Sequence, residues 1–435
     1  MNHELPWDPE IDTPATVAVI GAGPLGIEAA LYARFLGYYV VLFDESKVAS
    51  NLLRWGHVRM VTPFRSNCTS LGLAALESHG QLGDLPSADD FLTGREYVER
   101  YVVPLARTDL VYECVNVFSK VVSVSRTLSR PHQVTSIQAR ADEEFRLVIN
   151  SKQRGWFIER ADIVLDCSGA SSKCAIGPGG GLAIGEMEFA SDIVREMPDL
   201  SGTDRAKYTA KHTLLYGSGY EAALTAIALA KLIGEQPKTK VTWVVNHEPS
   251  KQSSSEPSAQ HDPFPHRAKV LLAAQQLKSQ PPDGLAVLFA WGVERLERNE
   301  SGTWQARLLV SEEDTLDVNC DHFVALSGNI PSNEFGEALA IDATNRFPIN
   351  FDSQSKILQF SGESLNLQRE PQESNWSTCI TSEPHYYLIG RRSYRQDDGF
   401  MIHQGYSQIR HIFSLIAGRK DLDLYHSVRP SGVAL

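Results

Sequence analysis

Two short glycine loops are the parts of this chain best suited to hold a charged ligand. In "VAVIGAGPLGIEAALYARFLGYYVVLFDES", Gly21, Gly23 and Gly26 follow an apolar run, Val17 to Ile20, and precede a helical pattern that stops at Gly37. Gly21 permits a tight turn, Gly23 lets a pyrophosphate approach the backbone, and Gly26 lets the helix pack closely on the strand. The next strand ends in Asp44, whose carboxylate can accept both hydroxyls of a ribose, with Glu45 beside it. Pro24 and Leu25 complete the loop. The second loop, in "LLYGSGYEAALTAIALAKL", runs through Gly217, Ser218, Gly219, Tyr220 and Glu221, with Ala222 in the place of the third glycine. Its next strand, "KVTWVV", ends not in a plain acid but in Asn246, His247 and Glu248, and donors at the first two suit a 2′-phosphate.

These loops need strands and helices to aim them, and the pattern supplies two sets. After the first loop, "FLTGREYVERYVVPLA" from Phe91 to Ala106 has helical spacing behind a Thr93 cap, and alternating strands follow between Val111 and Ile163. They close in "ADIVLDCSGA", a strand running into Ser168 and Gly169. After the second loop the plan repeats, ending in "CDHFVALSGNIP". The stretch between 248 and 267, rich in Ser, Pro and Gln, reads as a mobile surface insertion.

Composition sets the outer bounds. The 435 residues suffice for about three domain-sized units. A 42% apolar and 22% charged composition is that of a globular enzyme, and the net charge of −12 leaves no broad basic footprint for nucleic acid. No uninterrupted apolar stretch of about 18 residues and no leader pattern is present, so the expected location is the cytoplasm with no membrane contact. The six cysteines form no CxxC pair and no Cys/His ligand set, which leaves no metal site to expect.

On "GAGPLG" with Asp44, "DCSGA", "GSGYEA" and "ALSGNIP", the chain resembles the two-dinucleotide-binding-domain flavoproteins, which include disulfide reductases, flavin-containing monooxygenases and N-hydroxylating monooxygenases. The resemblance covers residues from about Ala15 to about Gly418. It implies an α/β fold of two Rossmann-like domains, the NAD(P)H domain inserted into the FAD domain. The expected division is an FAD-binding part at 1–195, an NAD(P)H-binding domain at 196–324 and the second FAD-binding part at 325–435. FAD then falls to Gly21, Gly23, Gly26 and Asp44, and the nicotinamide cofactor to Gly217, Gly219 and Ala222, with NADPH favoured over NADH.

The branches of that family differ in what stands at the flavin. No cysteine pair is spaced for thiol exchange, and Leu25 occupies the place where the bacillithiol-disulfide reductase type carries its single cysteine. "MPDLSGTDRAKYTAKH" lacks the FxGxxxH-type spacing of flavin-containing and Baeyer–Villiger monooxygenases. "RWGHVRM" resembles the Trp-His segment of the N-hydroxylating enzymes, which makes Trp55 a cofactor contact and His57 and Arg59 catalytic candidates. "DPFPHRAKVLLAAQQL" is placed as a substrate-side or nicotinamide-side helix would be. In "HYYLIGRRSYRQDDGFMIHQGYSQIRHIFSLIAG" a strand ends at Gly390, followed by Arg391 where disulfide reductases usually have Asp. Phe400, His403 and Gln404 are then candidates for the flavin ring, His403 with a catalytic role. The expected activity is oxygenation of nitrogen or sulfur in a small molecule through a flavin C4a-hydroperoxide, with O2 as co-substrate. The alternatives are an NAD(P)H-dependent reductase of a disulfide or other acceptor, and a non-catalytic flavin sensor; a homodimer is compatible with either enzyme.

Overall fold

The computed structural model describes residues 5–130, 136–170, 172–246, 262, 264–332, 334–339, 341, 376–394 and 400–430. The chain divides into two compact units, Met1–Ser171 with Pro331–Leu435, and Ser172–Ile330. In the first unit, strands β1 (Thr16–Ile20) and β2 (Tyr39–Phe43) pair in parallel on either side of helix α1 (Pro24–Phe35) in sequence. Strand β3 (Ile163–Asp166) pairs with the other edge of β1, also in parallel. Every residue of β3 and the last four of β1 are buried. Burial on both faces is why these strands read as continuous apolar runs rather than alternating ones. Between β2 and β3 a three-stranded antiparallel sheet forms from Ser119–Arg126, Phe145–Ser151 and Gly155–Ala161. The expected helix near Phe91–Ala106 begins at Thr93, which exchanges cap hydrogen bonds with Glu96. It then widens into a π-helical turn at Val98–Val102, just before Pro104 removes an N–H from the ladder.

The second unit repeats the plan. Strand β4 (His212–Tyr216) lies between β5 (Lys240–Asn246) and β6 (His322–Ala325), with Leu285–Ala290 beyond β5, all parallel. Helix α2 (Tyr220–Glu235) connects β4 to β5, and helix α3 (Pro265–Ser279) packs beside α2. A three-stranded antiparallel sheet again sits between the second and last parallel strands. The chain enters through Ser172–Lys173 and leaves through Asn329–Ile330, which pair with each other. The expected division at 195/196 and 324/325 therefore moves to 171/172 and 330/331. Residues 172–195 join the inserted unit through bridges from Ile184 to Arg295 and from Val194 to Val324, and through the Ser327 hydroxyl, which donates to the Cys174 carbonyl at 2.7 Å. This segment has no periodicity to read, because its hydrogen bonds go to edges of distant strands.

The return strand β7 (Tyr386–Leu388) pairs with β3, so the first sheet runs β7, β3, β1, β2 and then Val115–Asn116. Helix α4 (Ile402–Ile416) follows, burying Ile409, Ile412, Phe413 and Ile416 on its apolar stripe against the core of the first unit. No described helix is long and apolar enough to cross a membrane. Ahead of β7, Glu383 is fully buried and shared by two arginines. Arg126 Nε donates to its Oε1 at 2.7 Å, and Arg140 Nη2 donates to its Oε2 at 2.6 Å. The triad fastens the start of β7 to the antiparallel sheet across some 250 positions of sequence. Removing one member of a buried charge network strands the others, at a cost of roughly 3–5 kcal/mol. Glu383→Gln should lose about that much stability in denaturant unfolding, a far larger loss than an exposed Glu→Gln change elsewhere gives.

Two candidate dinucleotide sites

The first loop sits where the ends of β1, β2 and β3 meet. Gly21 has φ +101°, and a Cβ there would lie 2.7 Å from the Cys167 carbonyl oxygen at the end of β3. Gly26 is equally fixed, since its Cβ would fall 1.8 Å from the Gly21 carbonyl oxygen. Gly23 is different: a Cβ there would meet nothing within 4 Å. It is also the N-cap of α1, with no side chain capping the helix and Pro24 in the first turn. The N-terminal N–H groups of α1 thus have no side-chain cap, the setting in which a helix takes an anion. Asp44 accepts N–H bonds from Ala22 and Ser46, each at 2.7 Å, through different oxygens. Burial raises its pKa against the pull of those two bonds. The remaining lone pairs of both oxygens are the acceptors a ribose would use. Glu45 is exposed, 3.9 Å from Lys120.

The C-terminal segment closes on the same loop. Gly390 has φ +72°, and a Cβ there would come within 2.6 Å of Leu25 and 3.7 Å of Phe400. A Cβ at Gly405 would come within 2.3 Å of Leu25. Leu25, Gly390, Phe400 and the start of α4 are thereby brought together. Gln404 Oε1 accepts the Met401 N–H at 2.7 Å. His403 is half-buried, and its Nδ1 is buried with no hydrogen-bond partner. Burial lowers its pKa, so the ring is neutral at pH 7. Ser168 turns its hydroxyl onto Asp166 Oδ1 at 2.6 Å, and Gly169 follows with φ +72°. Trp55 is half-buried, its ring 3.0 Å from where a Cβ on Gly94 would stand. His57 is exposed, and Arg59 donates to the Phe91 carbonyl at 2.8 Å.

The second loop matches the first nearly bond for bond. Gly217 has φ +145°, and its Cβ would lie 2.3 Å from the Leu326 carbonyl oxygen at the end of β6. Gly219 caps α2 with no side-chain cap, and again its Cβ would meet nothing within 4 Å. Ser218 Oγ accepts the Asn246 N–H at 2.7 Å, tying the loop to the end of β5. Tyr220 and Glu221 open the helix. His247 lies outside the described residues. Sequence reasoning passed over the ion pair between Arg267 and Asp262, 2.6 Å long at the start of α3, whose charges act on the Tyr220 hydroxyl. The phrase "DPFPHRAKVL" was its only signal.

No protein-family model and no curated protein matches the sequence. Solved structures do match. The FAD-bound cadaverine monooxygenase of desferrioxamine biosynthesis from Erwinia amylovora is 14% identical at a TM-score of 0.60, covering 98% of this chain and 100% of its own. The bacillithiol disulfide reductase of Bacillus cereus is 14% identical at 0.58, covering 94% and 100%. The thioredoxin reductase of Lactococcus lactis is 14% identical at 0.53, covering 93% and 99%. This chain has the fold of the two-dinucleotide-binding-domain flavoproteins. At these identities the likeness speaks for the α/β architecture with two Rossmann-like domains, and monooxygenases and reductases share that flavoprotein fold.

Within this flavoprotein fold, α1 carries an acid with no counterpart among the expected site residues. Glu28 is 1% exposed, and its Oε1 accepts from the Thr69 hydroxyl at 2.7 Å. Burial raises its pKa from 4.5 to about 7. Between those two values the unfolded chain gives up the proton and the folded chain keeps it. Stability conferred by the protonated acid is therefore complete below pH 4.5 and lost as pH rises towards and through about 7, by ~3 kcal/mol in all. In Glu28→Gln that part of the pH dependence should vanish: unfolding free energies measured from pH 4 to pH 8.5 should converge with wild type at acid pH and exceed it at alkaline pH.

Proposed function

We propose that this chain is an FAD- and NADPH-dependent oxidoreductase, a monooxygenase that oxygenates nitrogen or sulfur in a small molecule. The observation that carries the reading is the pair of uncapped helix N-termini, each behind a glycine with open space where a side chain would stand. One such site binds a dinucleotide; two, in separate units, serve a donor and an acceptor of electrons. FAD belongs to the unit of Met1–Ser171 and Pro331–Leu435, and NADPH to the unit of Ser172–Ile330. When bound, FAD supplies the redox chemistry, taking electrons from NADPH and passing them to O2.

The chain's own residues bind and orient. The α1 N-terminus holds the FAD pyrophosphate, Asp44 the ribose hydroxyls, and Gly390, Phe400 and His403 border the ring. Neutral His403 offers an unpaired nitrogen to flavin or substrate. The α2 N-terminus holds the NADPH pyrophosphate, and Asn246, His247 and Arg267 attend its 2′-phosphate.

The thiols favour oxygenation over disulfide reduction. None of the six cysteines is in a disulfide, and burial pushes up the pKa of Cys68, Cys114, Cys167, Cys320 and Cys379. A thiol held protonated in this way is a poor exchange nucleophile.

Purified protein should be yellow and should bleach on anaerobic addition of NADPH. Readmitted oxygen should then be consumed with formation of an oxygenated amine or thioether; stoichiometric disulfide reduction without oxygen uptake would move the chain to the reductase branch. Two substitutions separate the sites without disturbing the fold. Gly23→Val should fold with wild-type stability and lose FAD, whereas Gly219→Val should keep FAD and lose its reduction by NADPH, as read by the visible spectrum.

A further inference from the structure

Strand β3 ends in a buried acid that an apolar strand does not require. Asp166 is 0% exposed, and both of its carboxylate oxygens are saturated. Oδ1 accepts the Ser168 N–H at 3.1 Å and the Ser168 hydroxyl at 2.6 Å. Oδ2 accepts the Tyr386 hydroxyl at 2.9 Å and Nε of Arg392 at 2.7 Å, with Nη2 also at 2.7 Å. Arg392, 4% exposed, reaches on through Nη1 to the Ser332 carbonyl at 2.5 Å. One carboxylate thus joins the turn after β3 to the turn after β7.

Further bonds carry that connection to the loop where FAD is placed. The Ile389 N–H donates to the Asp166 carbonyl at 2.9 Å, and Ser393 N–H and Oγ donate to the Gly390 carbonyl at 3.0 and 2.8 Å. Gln408 on α4 accepts the Gly390 N–H at 2.7 Å and donates to Ser393 Oγ at 2.7 Å. On the other side, Cys167 touches the first loop through the close approach of its carbonyl to Gly21. A charge is a costly way to fasten two turns, because an apolar pair of similar volume stabilises a core as well or better. What the ion pair adds is a fixed, two-point geometry.

We propose that Asp166 and Arg392 are positioning residues for FAD, setting the spacing of the Ser168 and Gly390 turns and through it the affinity and redox environment of the bound flavin. The inference rests on the FAD reading given above. Its test begins with titration of FAD into wild-type protein, since a wild type that binds none overturns that reading and this inference together. If wild type binds, the decisive variant combines Asp166→Leu, Tyr386→Phe and Arg392→Met, which removes the charges together with the buried Tyr386 hydroxyl that would otherwise lose its partner. Wild-type affinity and spectrum in this variant would show the pair to be structural and sink the inference while leaving the FAD reading intact. Arg392→Lys, which keeps the charge and loses the fork, reads the same quantity in a less altered chain. Weakened FAD binding at unchanged melting temperature supports positioning, and unchanged affinity overturns it. Glu383→Gln serves as the control for instability alone, with lowered melting temperature and unaltered FAD affinity of the folded fraction.

Discussion

Everything in the two candidate sites depends on a backbone pressed against a backbone. At Gly21 and Gly217 the chain passes so close to the carbonyl ending a neighbouring strand that a side chain has no room. The contact turns the loop outward over the sheet edge and starts the helix with no side chain capping its N–H groups. The same contact fixes which strands neighbour one another, because β3 must end beside the first loop and β6 beside the second. Ser-Gly after each of those strands, with Gly169 at φ +72° and Gly328 at φ +90°, lets the chain leave sharply. The sheet, the loop and the turn are therefore one constraint expressed three times, and the duplication of that constraint gives the molecule its two candidate sites.

The charges buried around β7 join segments remote in sequence. The Arg126–Glu383–Arg140 network secures the beginning of β7, and Asp166 with Arg392 secures its end. Between these anchors β7 is three residues long, too short to hold its register by backbone bonds alone. Charge-assisted bonds at both ends compensate for that shortness. Glu28 belongs to a different class, an acid whose pKa burial raises to about 7 within a tyrosine-lined layer behind α1.

The sequence made the loops legible because their chemistry is local: glycine spacing, an apolar run before it and a helical pattern after it all fall within some thirty residues. The parallel strands and α4 were readable for the same reason. The Asp166–Arg392 bond was not, since its partners stand 226 positions apart and each looks like an ordinary polar residue at a strand or helix end. Glu28 was hidden differently, as a lone acid in a helix that is buried from Leu25 to Ala33. The limits of the inserted unit escaped because 172–195 has neither period nor propensity, and its membership is decided by bridges to Arg295 and Val324. Trp55, His57 and Arg59 stood out by residue type, yet only Trp55 is drawn into the core.

The two short strands through which the inserted unit departs and returns also govern how the host chain closes. Ser172–Lys173 and Asn329–Ile330 lie side by side, so the gap left in the host by removing everything between them is the width of one strand pairing. Closing such a gap costs the host almost no loop entropy. A unit whose two ends lie this close together can be removed or exchanged with little disturbance to the chain that carries it.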